Sequence, residues 1–229
     1  MVGPAVESAR DAIARLATHP ANRRGWATSA AAAGIRAARA SAALDGADPG
    51  IDPAAGAVSD PVLAGAIRCS AAVAGLAETF VRAPLQALAR LHQLAAADLV
   101  PAADLGRPAT GGASHRLLRL AEPDVRSLPG PVMVAVVHAE VLAAQAFPPV
   151  HGVVARAAAR VAMVGSGLDV HALGVPEVRY YRDAERYRRL AAGYAGGSES
   201  AVTEWIVYVC NSIESGAAEG RSIADAGTA

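Results

Sequence analysis

Residues 143–160 read AAQAFPPVHGVVARAAAR. Both flanks are alanine-rich and apolar, as buried helices are, but the middle carries two prolines, His151 and Gly152. Proline has no N–H to donate and disfavours a helical residue before it, so the pair ends the first helix. Gly152, Val153 and Val154 then open the second, and their N–H groups have no partner within the helix. Such an end attracts an anion, and Arg156, one turn further in, adds a positive charge.

Outward from this turn the chain reads as helix on both sides. The stretch PGPVMVAVVHAEVLAAQAF predicts a buried central helix over about 131–146. It is not expected to span a membrane, because His138, Glu140 and Gln145 interrupt it and prolines bracket it, short of the ~20 apolar residues a bilayer needs. A second helix is expected over 152–166. Upstream, residues 6–18 and 24–44 carry apolar residues at helical intervals and are separated by HPANRRG, and LDGADPGIDP stops the second of them. DPVLAGAIRCSAAVAGLAETF opens with an aspartate cap and a proline at the first helical position. In APLQALARLHQLAAADLV the leucines at 85, 88, 91 and 94 are expected on one face.

A long loop, PAADLGRPATGGASHR, follows, with room for one short β-hairpin flap around 113–120. Closing helices are expected near 180–195 and 199–219. Alternation of period two is sustained nowhere else, so the class is all-α with about eight helices. The chain reads as one domain over 1–229, with 1–60 as an N-terminal helical extension and 61–219 as the core.

Composition limits the function classes. With 229 residues, 53% of them hydrophobic, the chain can build one sizeable core. All 21 basic residues are arginine and 21 acidic residues balance them. That leaves no basic field for a nucleic acid or an anionic membrane surface. Cys69 and Cys210 lack metal-type spacing and are expected to be core thiols, and no secretory leader is evident, so a cytoplasmic protein is expected.

From His138 onward the spacing HAEVLAAQAFPPVHGVVAR resembles the core of the Fic (Fido) family, whose active-site loop follows HPFx(D/E)GNGRxxR. Phe147 matches the motif phenylalanine, Gly152 its second glycine and Arg156 its last arginine, while His138 precedes the loop by the seven residues many members show. LARLH, ending at His92, resembles a leucine-histidine pair on an early helix of the family. YRRLAAGYAGGSESAVTEWIVYV resembles its closing region, with Trp205 starting the last helix. SAALDG, Ser41 to Gly46, resembles the inhibitory motif (S/T)xxxE(G/N), with Asp45 in place of glutamate. The resemblance implies a Fic-like helical core and a pairing of Asp45 with Arg156.

It also implies which chemistry is missing. In active members the motif histidine is the base, the acidic residue holds the metal, and the first arginine contacts nucleotide phosphates. Here Gln145 stands for the histidine, Ala146 for the proline, Pro149 for the acid, Val150 for the first glycine, His151 for the asparagine and Val153 for the first arginine. Glutamine cannot take up a proton near neutral pH, so Gln145 is no general base. Proline offers no oxygen to magnesium, so no metal is expected and no cofactor is required. Valine at 153 removes a charge from a site where electrostatics would carry much of the barrier.

What remains is an anion site of His151, Gly152, Val153 and Arg156, able to take phosphate or a nucleotide. His151 is the one titratable group in the altered loop and the sole catalytic candidate, although a loop histidine more often just bonds its turn. Three functions stay open: a Fic-like protein without AMP transfer whose pocket is regulatory or structural, a transferase of altered chemistry using His151 and Arg156, and a protein-interaction module with a vestigial pocket. A protein partner or a homo-oligomer is compatible with each. In RYYRDAERYRRL the acidic residues offset the arginines, so a solvated face is expected. Ser41 and Ser114 have no triad context.

Overall fold

Pro61 begins its helix because Asp60 caps it: the carboxylate accepts from the N–H groups of Val62 and Leu63 at 2.8 and 3.0 Å. This is seen in a computed structural model of the chain, which describes residues 2–50, 58–109 and 111–227. Among them are eleven α-helices and one 3-10 turn, with no strand. They are α1 (Val2–Ala17), α2 (Pro20–Leu44), α3 (Pro61–Arg82), α4 (Pro84–Ala95), α5 (Gly111–Leu118), α6 (Pro123–Ser127), α7 (Gly130–Ala144), α8 (His151–Gly165), α9 (Glu177–Arg182), α10 (Ala184–Gly196) and α11 (Glu199–Ala226). The 3-10 turn, Arg119–Ala121, links α5 to α6.

The two helices read from the opening stretch form the centre. α7 lies along α8, α8 is flanked by α3 and α4, and α7 is flanked by α5, α10 and α11. α1 packs on α11, and α2 lies across α3, α9 and α11. One continuous apolar core joins these layers, and a smaller cluster of Ala33, Ala37, Ala40, Val175, Val178 and Ile223 fills the space under α2. α7 is apolar around its circumference and carries nine buried residues, His138 and Glu140 among them. α3 alone among the described residues is long and apolar enough to cross a membrane, and it packs against α2, α4 and α8 as a core helix does.

Several expectations need correction. Residues 113–120 form α5 and the start of the 3-10 turn, not a hairpin. Glu140, buried on α7, accepts from Arg116 at 3.1 Å and lies 3.6 Å from Arg119, which places two residues spaced by three on the same side, a helical arrangement. Leu88 and Leu91 are buried but Leu85 is 37% exposed, because a step of three residues falls behind the 3.6-residue turn and the row winds off the face. Asp183 divides the expected helix over 180–195 into α9 and α10. Trp205 lies well inside α11, which starts at Glu199. The expected break at HPANRRG is narrower: Pro20 starts α2, and the interruption is a kink at Gly25, with φ −165° and ψ 59°.

α11 also runs past its expected end at 219. Its glycines are contact points, not stop signals: a Cβ on Gly216 would come within 2.5 Å of Pro176 N, and one on Gly220 within 2.5 Å of Leu173 O. Residues 51–57 of the loop after α2, and the side chain of Ser114, lie outside the described residues.

Candidate functional site

The turn between α7 and α8 is held from both ends. Gln145 caps α7 in the left-handed conformation, φ 46° and ψ 34°, and turns the chain so that Ala146, Phe147 and Val150 enter the core. His92, buried on α4, fixes the middle. Its Nδ1 accepts from the N–H of Gly106 at 3.0 Å, so the ring proton sits on Nε2, which donates to Pro148 O at 3.2 Å. Burial lowers the pKa of His92, in keeping with this neutral form. Phe147 packs against the same ring, with centroids 5.2 Å apart.

Gly152 is where the site is made. A Cβ there would lie 2.5 Å from both carboxylate oxygens of Asp45, so glycine lets the carboxylate rest on the first turn of α8. Asp45 is the C-cap residue of α2. One of its oxygens accepts from the N–H of Val153 at 3.1 Å and the other from Arg156 Nη2 at 2.8 Å. Arg156, with its side chain 2% exposed, is further held by Ser41: Nε donates to the hydroxyl at 2.8 Å and Nη2 to the carbonyl at 2.9 Å. The N-terminus of α8 and the arginine are therefore both bonded to the chain's own carboxylate.

A buried polar chain continues inward. Arg156 Nη1 donates to the Tyr187 hydroxyl at 3.4 Å, and that hydroxyl lies 2.9 Å from His138 Nε2. Burial pushes the Tyr187 phenol above its usual range, so it keeps its proton to donate to His138. Burial first, and the Arg156 charge second, bring His138 down to about 3. The histidine is neutral, and its Nδ1 has no hydrogen-bond partner among the described residues. Tyr180, Tyr187 and Trp205 surround it at ring-centroid distances of 5.2–5.6 Å.

Outside this chain lies a cleft of about 560 Å³, whose walls include Asp45, Gln145, Pro149, His151, Gly152 and Arg188. Arg188 donates to Leu44 O at 2.9 Å and so ties α10 to the end of α2. His151 is half-buried at the first position of α8, with Nδ1 lacking a partner among the described residues. The cleft thus brings together Gln145, His151, Gly152, Arg156 and Asp45. Val153 contributes its N–H while its side chain is buried, and Phe147 is wholly internal. The donor set does not suit a hard cation: Pro149 has no oxygen on its side chain, and the carboxylate of Asp45 is already bound to an arginine. Among the described residues no group of three His, Cys, Asp or Glu could hold a metal ion.

Sequence reasoning overlooked six buried participants. Tyr180 and Tyr187 looked like members of an arginine-rich face, yet they and Tyr194 are buried, and for Tyr187 and Tyr194, both on α10, the spacing of seven was the available signal of a common face. Glu140 looked like a mere interruption, but it accepts from Arg116 at 3.1 Å and Tyr194 at 3.0 Å and ties α5 and α10 to α7. Arg160 and Glu177, both buried, form an ion pair at 3.3 Å for which the sequence held no signal. Cys69 and Cys210 are free and buried, as core thiols.

No known family profile matches the chain, and no curated protein matches it in sequence. Among solved structures it is similar to a Fic family protein from Desulfovibrio desulfuricans G20, with a TM-score of 0.66 and 17% identity over 97% of this chain and 75% of that one. The fold is all-α and Fic-like.

Proposed function

We propose that this chain is a Fic-like protein that does not carry out the usual AMP transfer and that its residual phosphate- or nucleotide-binding pocket serves a regulatory or structural role. One observation carries the reading. The Asp45 carboxylate accepts from the Val153 N–H and from Arg156, the donors an incoming phosphate would need. Gln145, Pro149 and Val153 supply neither a base, a metal ligand nor a second cation. A phosphate therefore binds only as Asp45 withdraws, and nothing at the turn then takes the proton from an acceptor hydroxyl. The cytoplasm is the expected compartment.

The test is thermal unfolding with ATP, inorganic phosphate or neither, run on the wild type, Asp45→Ala and Asp45→Ala/Arg156→Ala. The melting temperature of Asp45→Ala is expected to rise with ligand, and the double variant to lose that rise. Incubation with labelled ATP and cell lysate should transfer no label. Transfer of label by the wild type would overturn the proposal.

A second reading rests on His151, the one titratable side chain of the turn, which lines the cleft. In that reading His151 is the base of a transfer reaction, and His151→Ala abolishes label transfer.

A further inference from the structure

The end of α7 far from the Asp45 cleft carries a pocket of about 250 Å³, walled by the ends of α3 and α8, by α6 and by the first turns of α7. An apolar cavity of about 150 Å³ already takes benzene, so this one has room for a somewhat larger molecule. Phe80, Leu120, Met133 and Val137, all buried, form its floor, and Val81, 42% exposed, stands at its mouth. Apart from the weakly accepting thioether of Met133, these side chains offer no polar atom, so the inner part of an occupant must be apolar.

The mouth carries one sign of charge. Arg126 is the one charged residue among the described lining residues; it is exposed and makes no ion pair among those described. Gly130, the first residue of α7, lines the pocket as well. Pro129 before it supplies no side-chain cap, so the N–H of Gly130 is unspent and the positive end of the helix dipole lies at the opening. The negative ends of α8 and α3 also reach the wall, but their carbonyls are already bonded. Ala162 O accepts from Ser166 N at 2.9 Å, Met163 O from Asp169 N at 3.0 Å, Val164 O from Gly167 N at 3.0 Å and Thr79 O from Ala83 N at 2.7 Å.

We propose that this pocket binds a monocarboxylate with a short apolar body, of the medium-chain fatty acid class. The chain lies on Phe80, Met133 and Val137, and the carboxylate meets Arg126 and the Gly130 N–H at the mouth. A neutral head would gain nothing from the Arg126 charge, and a cationic head would be repelled by it.

The chain has three methionines, and Met133 is the one that lines the pocket, so its methyl resonance reports on the site. Octanoate and 1-octanol are titrated while the methionine methyl groups are followed by NMR. Octanoate is expected to move the Met133 methyl saturably and to bind at least tenfold tighter than 1-octanol. The methyl of Met163, which packs near Gly174, should stay in place. Arg126→Gln, at an exposed position, should keep the wild-type melting temperature and bring octanoate down to the affinity of 1-octanol, whereas Arg126→Lys should keep the preference. Equal binding of the two ligands by the wild type, or an undiminished preference for octanoate in Arg126→Gln, would overturn the proposal. So would a Met133 methyl that neither ligand moves.

Discussion

Asp45 and Arg156 meet at 2.8 Å with unequal burial: the arginine side chain is 2% exposed and the aspartate 26%. The guanidinium was fully desolvated by folding, while the carboxylate still faces the cleft. The pair is therefore a one-sided latch, in which only the aspartate end can leave for water. The shorter acid still spans the gap because Gly152 leaves room for it to sit directly on the turn.

Removing the carboxylate leaves a buried charge with only Ser41 and Tyr187 to bond it. Breaking such pairs costs about 3–5 kcal/mol when both partners are buried. Asp45→Ala should cost less, about 2 kcal/mol, since water can enter from the cleft. Arg156→Met should cost more, because it strands Asp45, Ser41 and Tyr187 together. Urea unfolding of both single variants and the double variant would show a coupling energy above about 1 kcal/mol, and additive losses would mean the contact contributes nothing.

Much of this latch was legible in the sequence, and the reason is local. Turn chemistry at 148–152 fixes where α7 stops and α8 starts, while the expected pairing of Asp45 with Arg156 came from a resemblance to two motifs of one family. The inward polar chain was not legible. Whether Tyr187 faces Arg156 or solvent depends on the break at Asp183, which rotates α10 relative to α9, and arginine-rich neighbours hid the tyrosine spacing. The end of α11 was misread where Gly220 serves close packing, since composition does not distinguish a stop from a contact.

Gly220 tests that distinction. By helix propensity alone, Gly220→Ala should stabilise α11 by about 1 kcal/mol. The new Cβ, however, would sit 2.5 Å from Leu173 O and 2.7 Å from Leu16 Cδ2. The carbonyl belongs to the backbone and cannot swing aside, and overpacking of this kind costs about 1–3 kcal/mol. The clash should win, lowering the denaturation midpoint. A raised midpoint would show that the Leu173 segment and α1 can both shift away from α11 freely.

Acid should weaken the fold through His138. Its pKa is about 3 in the native protein against 6.5 for the free side chain, so the unfolded chain binds more protons between those values. Its contribution is complete above pH 6.5 and declines as pH falls towards 3, at up to about 1.4 kcal/mol per pH unit. His92, also lowered by burial, acts in the same direction. His138→Gln keeps an acceptor for Tyr187 but cannot titrate. The variant should lose stability more gradually than the wild type between pH 6 and 4, and identical slopes would remove His138 from the account.

Gln145 combines strain with a cleft position. A non-glycine residue in the left-handed region costs about 1–2 kcal/mol, and glycine there avoids that cost while adding some unfolded-state entropy. Because the side chain is exposed and makes no hydrogen bond among those described, Gln145→Gly should raise stability by about 1 kcal/mol in urea unfolding. Gln145→His poses the opposite question. It adds the imidazole that the proposed reading finds lacking at the turn, while Asp45 still occupies the N-terminus of α8 and the side chain of Pro149 still offers no oxygen. Label transfer from ATP should stay at background in Gln145→His and in Gln145→His/Asp45→Ala alike. A gain of transfer in the double variant would show that the base alone was missing and that the cleft can still orient a nucleotide.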